Sequence, residues 1–161
     1  MSPAPAAQFA RGAWLRTAVV FVCVVAADQL VKQLVLAALQ RGEERDLVAG
    51  IKLVNTRNTG VAFGQLQGAG AIVSVLIAAA VVALLVYVAR NAQRRLIWLP
   101  AGLLLGGALG NVVDRVREGA VVDFLKLPHW PAFNVADSAI TIGVLTLLYV
   151  MERGDGARGR G

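Results

Sequence analysis

Long apolar runs alternate with short charged segments along this chain. Gly68 to Ala89 is 22 residues without a charged side chain, and Leu96 to Val113 gives 18 more. At 1.5 Å per residue, about 20 such residues span the roughly 30 Å hydrocarbon core of a bilayer. A longer run, Trp14 to Leu39, is flanked at its start by Arg11 and Arg16 and interrupted by Asp28 and Lys32. A fourth extends from about Asn134 to Met151, with Asp137 in its first turns. The pattern predicts four membrane-crossing helices over about 14–39, 68–89, 96–113 and 134–151. Val25-Ala26-Ala27 before Asp28 resembles the cleavage site of a signal peptide. Apolar residues resume at Leu30 and Val31 and three further spans follow, which favours an uncleaved first helix.

The segment between the first two spans is polar and mixed. Alternation at Ile51 and Leu53, then at Val61 and Phe63, predicts two short strands joined near Asn58-Thr59-Gly60. Open sheet edges are not tolerated facing lipid, so this sheet, formed mainly by residues 48 to 64, belongs on the membrane surface. Residues 1–12 and 153–161 read as flexible tails of a single domain, 1–161. The fold class expected is an all-α membrane protein, four transmembrane helices with a small extracytoplasmic β-sheet.

Composition agrees. Hydrophobic residues make up 57% and charged residues 16%, against about 45–50% and 25% in soluble domains, and the mean hydropathy is +0.65. The net charge of +6 and pI near 10.4 could suggest nucleic acid. The basic residues instead cluster at the ends of apolar runs, with no basic stripe among aromatics, so no nucleic-acid partner is expected. Counting Lys and Arg in the flanks places both termini and the 90–95 loop in the cytoplasm, and the two acid-containing loops outside. One cysteine, Cys23, and one histidine, His129, exclude a disulfide framework and a His- or Cys-built metal site. No metal or cofactor is expected.

Ionisable residues inside membrane spans are functional candidates by default. Asp28 and Lys32 lie four apart on one helical face and can neutralise each other, reading as a structural ion pair. Gly102, Gly106 and Gly110 recur every four residues, a small-residue face for close helix packing. Asp114 continues that spacing and should point at neighbouring helices. Asn111 shares a side with Asp114 and Arg115, a constellation that a polar helix end would also explain. Asn58 reads first as a turn residue. Asp123 and Asp137 are harder to dismiss: they are fourteen residues apart, each in apolar surroundings, with Pro128 and Pro131 breaking the chain between them. Two acids in one apolar site repel when both are ionised and tend to share a proton, the basis of aspartic-type peptide hydrolysis. A helix N-terminal cap would explain Asp137 alone and leaves Asp123 unexplained. Spacing does not choose between Asp123 and Asp114.

Five motifs in order, D-Q-L-V-K at 28–32, N-T-G-V-A-F-G at 58–64, G-N-V-V-D-R at 110–115, V-V-D-F at 121–124 and F-N-V-A-D-S at 133–138, carry a resemblance that runs through nearly the whole chain. The chain resembles the lipoprotein signal peptidases (signal peptidase II), intramembrane aspartic peptidases of bacteria. The resemblance implies that Asp123 and Asp137 are catalytic. It implies that Asn58, Gly60, Asn111, Asp114, Arg115 and Asn134 hold substrate or support the dyad. It further implies diacylglyceryl-modified prolipoproteins as substrates, cleaved just before the lipidated cysteine. The expected setting is the bacterial cytoplasmic (inner) membrane, crossed several times by a monomer among membrane lipids, with its active site near the extracytoplasmic face. Two rivals differ in class. A proton- or ion-translocating protein would stagger its acids across several depths, whereas Asp123 and Asp137 flank one outer loop. A helix-packing subunit built on the glycine face leaves Asp123, Asn134 and Asp137 without a role.

Overall fold

The computed structural model describes residues 5–59, 70–91, 94 and 96–156. Among the described residues, four helices, α1 (Pro5–Ala38), α2 (Gly70–Arg90), α3 (Trp98–Glu118) and α4 (Val135–Gly156), accompany three strands, β1 (Glu44–Val48), β2 (Ile51–Asn58) and β3 (Val121–Lys126). Leu15, Val19, Leu30 and Leu34 on α1 and Ile142, Leu145 and Leu148 on α4 face outward, while Thr17, Asp28, Lys32, Asn111 and Asp114 are buried. Apolar outside and polar inside inverts the order of a water-soluble protein and suits a bilayer. Arg11–Ala38 and Val135–Arg153 are long and apolar enough to cross a membrane by length and composition, and Ala79–Arg90 is a shorter apolar stretch.

Helix α3 is the hub, packing against α1, α4 and α2. Between apolar helices in lipid, close approach depends on small side chains. A Cβ on Gly102 would lie 2.6 Å from Val20 Cβ, one on Gly106 2.8 Å from Val24 Cβ, and one on Gly110 2.6 Å from the Asp28 carboxylate. The glycine stripe expected from the sequence therefore faces α1. Gly107, one residue off the stripe, faces α4: its Cβ would lie 2.5 Å from the Ala136 carbonyl oxygen.

The sheet differs from the sequence expectation. Its order is β1-β2-β3, all antiparallel. The hairpin turns at Ala49-Gly50, between paired Val48 and Ile51, not at 58–60. Both turn residues have positive φ, 50° and 78°, as a two-residue type I′ turn requires. Ala-Gly lacks the Asn-Gly or Asp-Gly signature of such turns, so the turn is silent in the sequence. Asn58 is no turn residue but the last residue of β2, paired with Val121. The third strand, β3, comes from the stretch before α4, and the strand expected at Val61 and Phe63 lies outside the described residues.

A register shift between Leu53 and Thr56 gives β2 one extra residue against β3. Side chains alternate along a strand, so a one-residue slip exchanges its faces. The bulge brings Thr56 opposite Asp123 and sends Asn55 inward, where its Nδ2 donates to the Leu39 carbonyl at 2.8 Å. Phe124 packs with Val35 and Leu39, seating the sheet on the end of α1. At the surface Glu44 bridges Lys52 (3.0 Å) and Lys126 (2.7 Å), which would otherwise oppose each other directly on β2 and β3.

Gly107→Ala should destabilise the helix assembly more than a surface Gly→Ala change such as Gly12→Ala, because its Cβ meets backbone that cannot rotate away. The expected loss is about 1–3 kcal/mol, as for other overpacked sites, read by thermal unfolding in detergent. An unchanged transition would mean that α3 and α4 are not in this contact.

Candidate active site

The site is built outward from Lys32. Its Nζ lies 2.7 Å from Asp28 Oδ2, 2.7 Å from Asp114 Oδ2 and 3.3 Å from Asn111 Oδ1, so its three protons meet three acceptors. The side chains of Lys32 and Asp28 are 1% and 0% exposed. The pair expected from spacing is thus one half of a two-helix triad, with Lys32 of α1 shared between Asp28 and Asp114 of α3. The acids extend it. Asp28 Oδ1 accepts the Ala136 N–H at the start of α4 (2.9 Å). Asp114 Oδ2 accepts the Val122 N–H of β3 (3.0 Å), and its Oδ1 accepts Gln29 Nε2 (3.0 Å). One buried cluster thereby ties α1, α3, β3 and α4 together.

Gln29 escaped the sequence reading. Its amide reaches Asp114, Asp28 and the Gly110 carbonyl at 3.0–3.3 Å. A third polar residue beside Asp28 in an apolar span was the available signal.

The two remaining acids arrive by different routes. Gly119 ends α3 in the left-handed conformation (φ 70°), its N–H donating to the Arg115 carbonyl, as helix C-terminal glycines do. The chain turns at once into β3, which carries Asp123. Beyond β3 the Trp130 N–H donates to the Leu127 carbonyl at 3.2 Å, with Pro128 second in the turn and His129 third at φ 59°. Proline then a positive φ is the type II pattern. The chain re-enters at Asn134, the N-cap of α4. Asn134 Oδ1 accepts the Asp137 N–H (2.8 Å), and Asp137 Oδ2 accepts the Asn134 N–H (3.2 Å). This reciprocal pair is a capping box built from Asn and Asp. The capping reading of Asp137 is correct, and it leaves Oδ1 for other work.

Asn134 joins the acids. Its Nδ2 donates to Asp123 Oδ1 at 2.8 Å and to Asn111 Oδ1 at 3.1 Å. Asn111 Nδ2 donates to Asp137 Oδ1 at 2.9 Å, and Asn58 Nδ2 to Asp123 Oδ2 at 3.1 Å. Asp28, Lys32, Asn58, Asn111, Asp114, Asp123, Asn134 and Asp137 therefore form one hydrogen-bonded network. Arg115 stands at its edge, half-buried, with Nη1 donating to the Asn111 carbonyl at 3.3 Å. Lys126 takes no part, and Gly60 lies outside the described residues.

The two acids differ in setting. Asp123 is 2% exposed, whereas Asp137 is half-buried. Asp123 lies on β3, outside the spans. Burial, with the negative charge of Asp137 adding to it, pushes its carboxyl up to about 6 against the opposing amides of Asn58 and Asn134 and the charge of Lys32. Burial dominates because a carboxylate loses more solvation there than two amide donors return.

The geometry resembles known proteins over most of the chain. Residues 20–152 match the family model described as signal peptidase (SPase) II. The chain is 36% identical to a lipoprotein signal peptidase of Halothermothrix orenii, over 84% of this chain and 94% of that one. It is 42% identical to the lipoprotein signal peptidase of Burkholderia thailandensis, over 84% of this chain and 87% of that one. A bacterial membrane enzyme solved by the in meso method at 2.3 Å superposes with a TM-score of 0.80 at 29% identity, covering 90% of this chain and 92% of that one. A second such structure, at 1.9 Å, gives 0.76 at 31% identity, over 84% of this chain and 91% of that one.

Removing the shared cation tests the framework. Lys32→Met should leave Asp28 and Asp114 buried without compensation and destabilise the protein by about 3–5 kcal/mol, as broken buried ion pairs do. Thermal unfolding and the yield of monodisperse protein in detergent report this. A variant as stable as the parent would remove Lys32 from the centre of the framework.

Proposed function

This chain belongs to the signal peptidase II family, whose members remove signal peptides from lipoproteins, and we propose that it does so with Asp123 and Asp137 as paired catalytic carboxylates. The observation that carries this reading is the Asn134 side chain, which hydrogen-bonds Asp123 through one end and the Asp137 backbone through the other. Asp114, the rival acid, is ion-paired with Lys32 and also accepts from Gln29 and the β3 backbone, whereas the oxygens of Asp123 and Asp137 accept from neutral amide groups. Its position suits bracing, not chemistry.

In the cleavage reaction a water attacks the scissile carbonyl between the two carboxyl groups. Asp123, whose carboxyl burial pushes up to about 6, is the acid assigned the proton and donates it to the carbonyl oxygen as negative charge develops there. Asp137, the more open of the two, takes the proton from the attacking water. The tetrahedral intermediate then collapses: one hydroxyl returns its proton to Asp123, the C–N bond breaks, and Asp137 passes the proton taken from water to the leaving amine. Asn111 and Asn134 fix the Asp137 carboxylate, while Asn58 and Asn134 fix that of Asp123. Arg115 and the segment containing Gly60 are assigned to substrate contact by analogy with the matching family motifs.

The finer substrate assignment is a prolipoprotein already bearing diacylglyceryl on the cysteine that becomes the new N-terminus. The outward apolar faces of α1 and α4 support a substrate held in the bilayer. The topology proposed is four spans in the bacterial inner membrane with both termini cytoplasmic, the sheet and dyad at the extracytoplasmic surface, and a monomer as the active unit. Basic flanks Arg16, Arg90, Arg94 and Arg153 lie toward one end of the helices and the sheet at the other.

Asp123→Asn and Asp137→Asn should each abolish cleavage of a purified diacylglyceryl-modified prolipoprotein while the protein still folds, and unmodified prolipoprotein should not be cut by the parent. Residual cleavage by either variant at the parental rate would rule out the dyad.

The pH profile tests which acid holds the proton. Because kcat/KM reports the free enzyme, it should fall as pH rises through about 6, where Asp123 loses its proton. Asn58→Ala removes a donor that favours the ionised form, so the alkaline limb should move to higher pH. A limb that stays put, or moves to lower pH, would assign the proton elsewhere.

A further inference from the structure

Behind β2, the end of α1 and the first two strands border an open cavity of about 600 Å³. Asn55 and Arg57 line it, and side chains alternate along a strand, so it lies on the opposite face of β2 from Asn58 and the dyad. Leu36 and Ala37, in the last turn of the apolar stretch Arg11–Ala38, form one rim. Arg41 and Arg45, just beyond that stretch, form another. The cavity thus straddles the level where hydrocarbon gives way to headgroups.

Its electrostatics favour an anion despite the helix end beside it. The last carbonyls of a helix carry partial negative charge. Here Asn55 Nδ2 covers the Leu39 carbonyl at 2.8 Å and Arg45 Nη2 the Ala38 carbonyl at 2.9 Å. Glu43 is engaged by Arg45 and by the Gln40 N–H, and Glu118 faces Arg57 at 3.4 Å. Arg41 is exposed and has no acid within ion-pair reach among the described residues. One positive charge is left over at an apolar boundary.

We propose that this cavity is a binding site for the phosphate of an anionic phospholipid, with an acyl chain along Leu36 and Ala37 and the phosphodiester on Arg41 and Arg45. A guanidinium presents paired N–H groups that match two phosphate oxygens, and it gives up hydration more readily than an ammonium. The apolar rim selects a lipid over a free anion, because only a lipid covers both surfaces. The site uses no member of the dyad network and stands whatever the peptidase chemistry proves to be.

Native mass spectrometry of the full-length protein released from detergent tests the site, with phosphatidylglycerol, phosphatidylcholine or inorganic phosphate added. The parent should retain phosphatidylglycerol in preference to phosphatidylcholine, and Arg41→Gln/Arg45→Gln should lower its affinity for phosphatidylglycerol roughly 30-fold, at about fivefold for each arginine. Arg90→Gln/Arg153→Gln, at the other end of the helices, should leave this preference in place. Arg45 also caps α1, so Arg41→Gln, which breaks no hydrogen bond or ion pair among the described residues, carries the test alone if the double variant unfolds, with a fivefold loss expected. Equal retention of the two lipids by the parent, or an undiminished preference in Arg41→Gln, overturns the proposal. Displacement of phosphatidylglycerol by equimolar inorganic phosphate overturns it too, since the site would then be one for a free anion.

Discussion

The contact on which the rest of this structure depends is the ammonium of Lys32 between the carboxylates of Asp28 and Asp114. A buried ion costs several kcal/mol to desolvate, and only close partners with good geometry recover that cost. Here the recovery requires α1 and α3 to approach until Lys32 touches both acids, which the absence of a side chain at Gly110 permits. The second oxygens of the acids then reach backbone N–H groups of Ala136 and Val122. The first turn of α4 and the strand β3 are thus fixed to the same cluster. Those are the two elements that carry Asp137 and Asp123, so the ion cluster positions both acids while touching neither.

Within that frame the two acids are made unlike. Asp123 sits on a strand between the sheet and the helices, almost without exposure, and burial raises its carboxyl toward neutral pH. Asp137 sits at the third position of a helix, half-open, with one oxygen in a capping box. Asn134 serves both: its carbonyl end caps the helix and its amide end holds Asp123. Asn111 repeats the arrangement from α3, accepting from Lys32 and Asn134 and donating to Asp137. Side-chain amides suit these positions because each offers a donor and an acceptor at once, and none adds charge where charge is costly.

A bilayer setting makes the economy of this design intelligible. Lipid supplies no hydrogen bonds, so polar groups must find partners within the protein. Every one of the buried acids, amides and the lysine described here does. The outward faces of α1 and α4 remain apolar, and the glycines of α3 let its neighbours close over the polar interior.

Much of this was legible in the sequence. Apolar runs marked the helices, four-residue spacing marked the glycine face and the Asp28–Lys32 contact, and a proline-broken stretch with two acids marked the candidate site, because each signal is local and periodic. The sheet was less legible: Ala49-Gly50 turns without the usual residues, and the bulge at 53–56 decides by one residue which face Asn58 presents. The further partners of Asp28 and Asp114 were not legible, since Ala136, Gln29 and Val122 meet them across sequence separations that no spacing rule records. The sequence by itself determined which residues are polar in an apolar chain, and so which could matter. Only the tertiary structure decided which acids are ion-paired and which meet neutral amides alone: Lys32 lies against Asp28 and Asp114, while Asp123 and Asp137 accept from Asn58, Asn111 and Asn134. Those neighbours come together only when the helices pack.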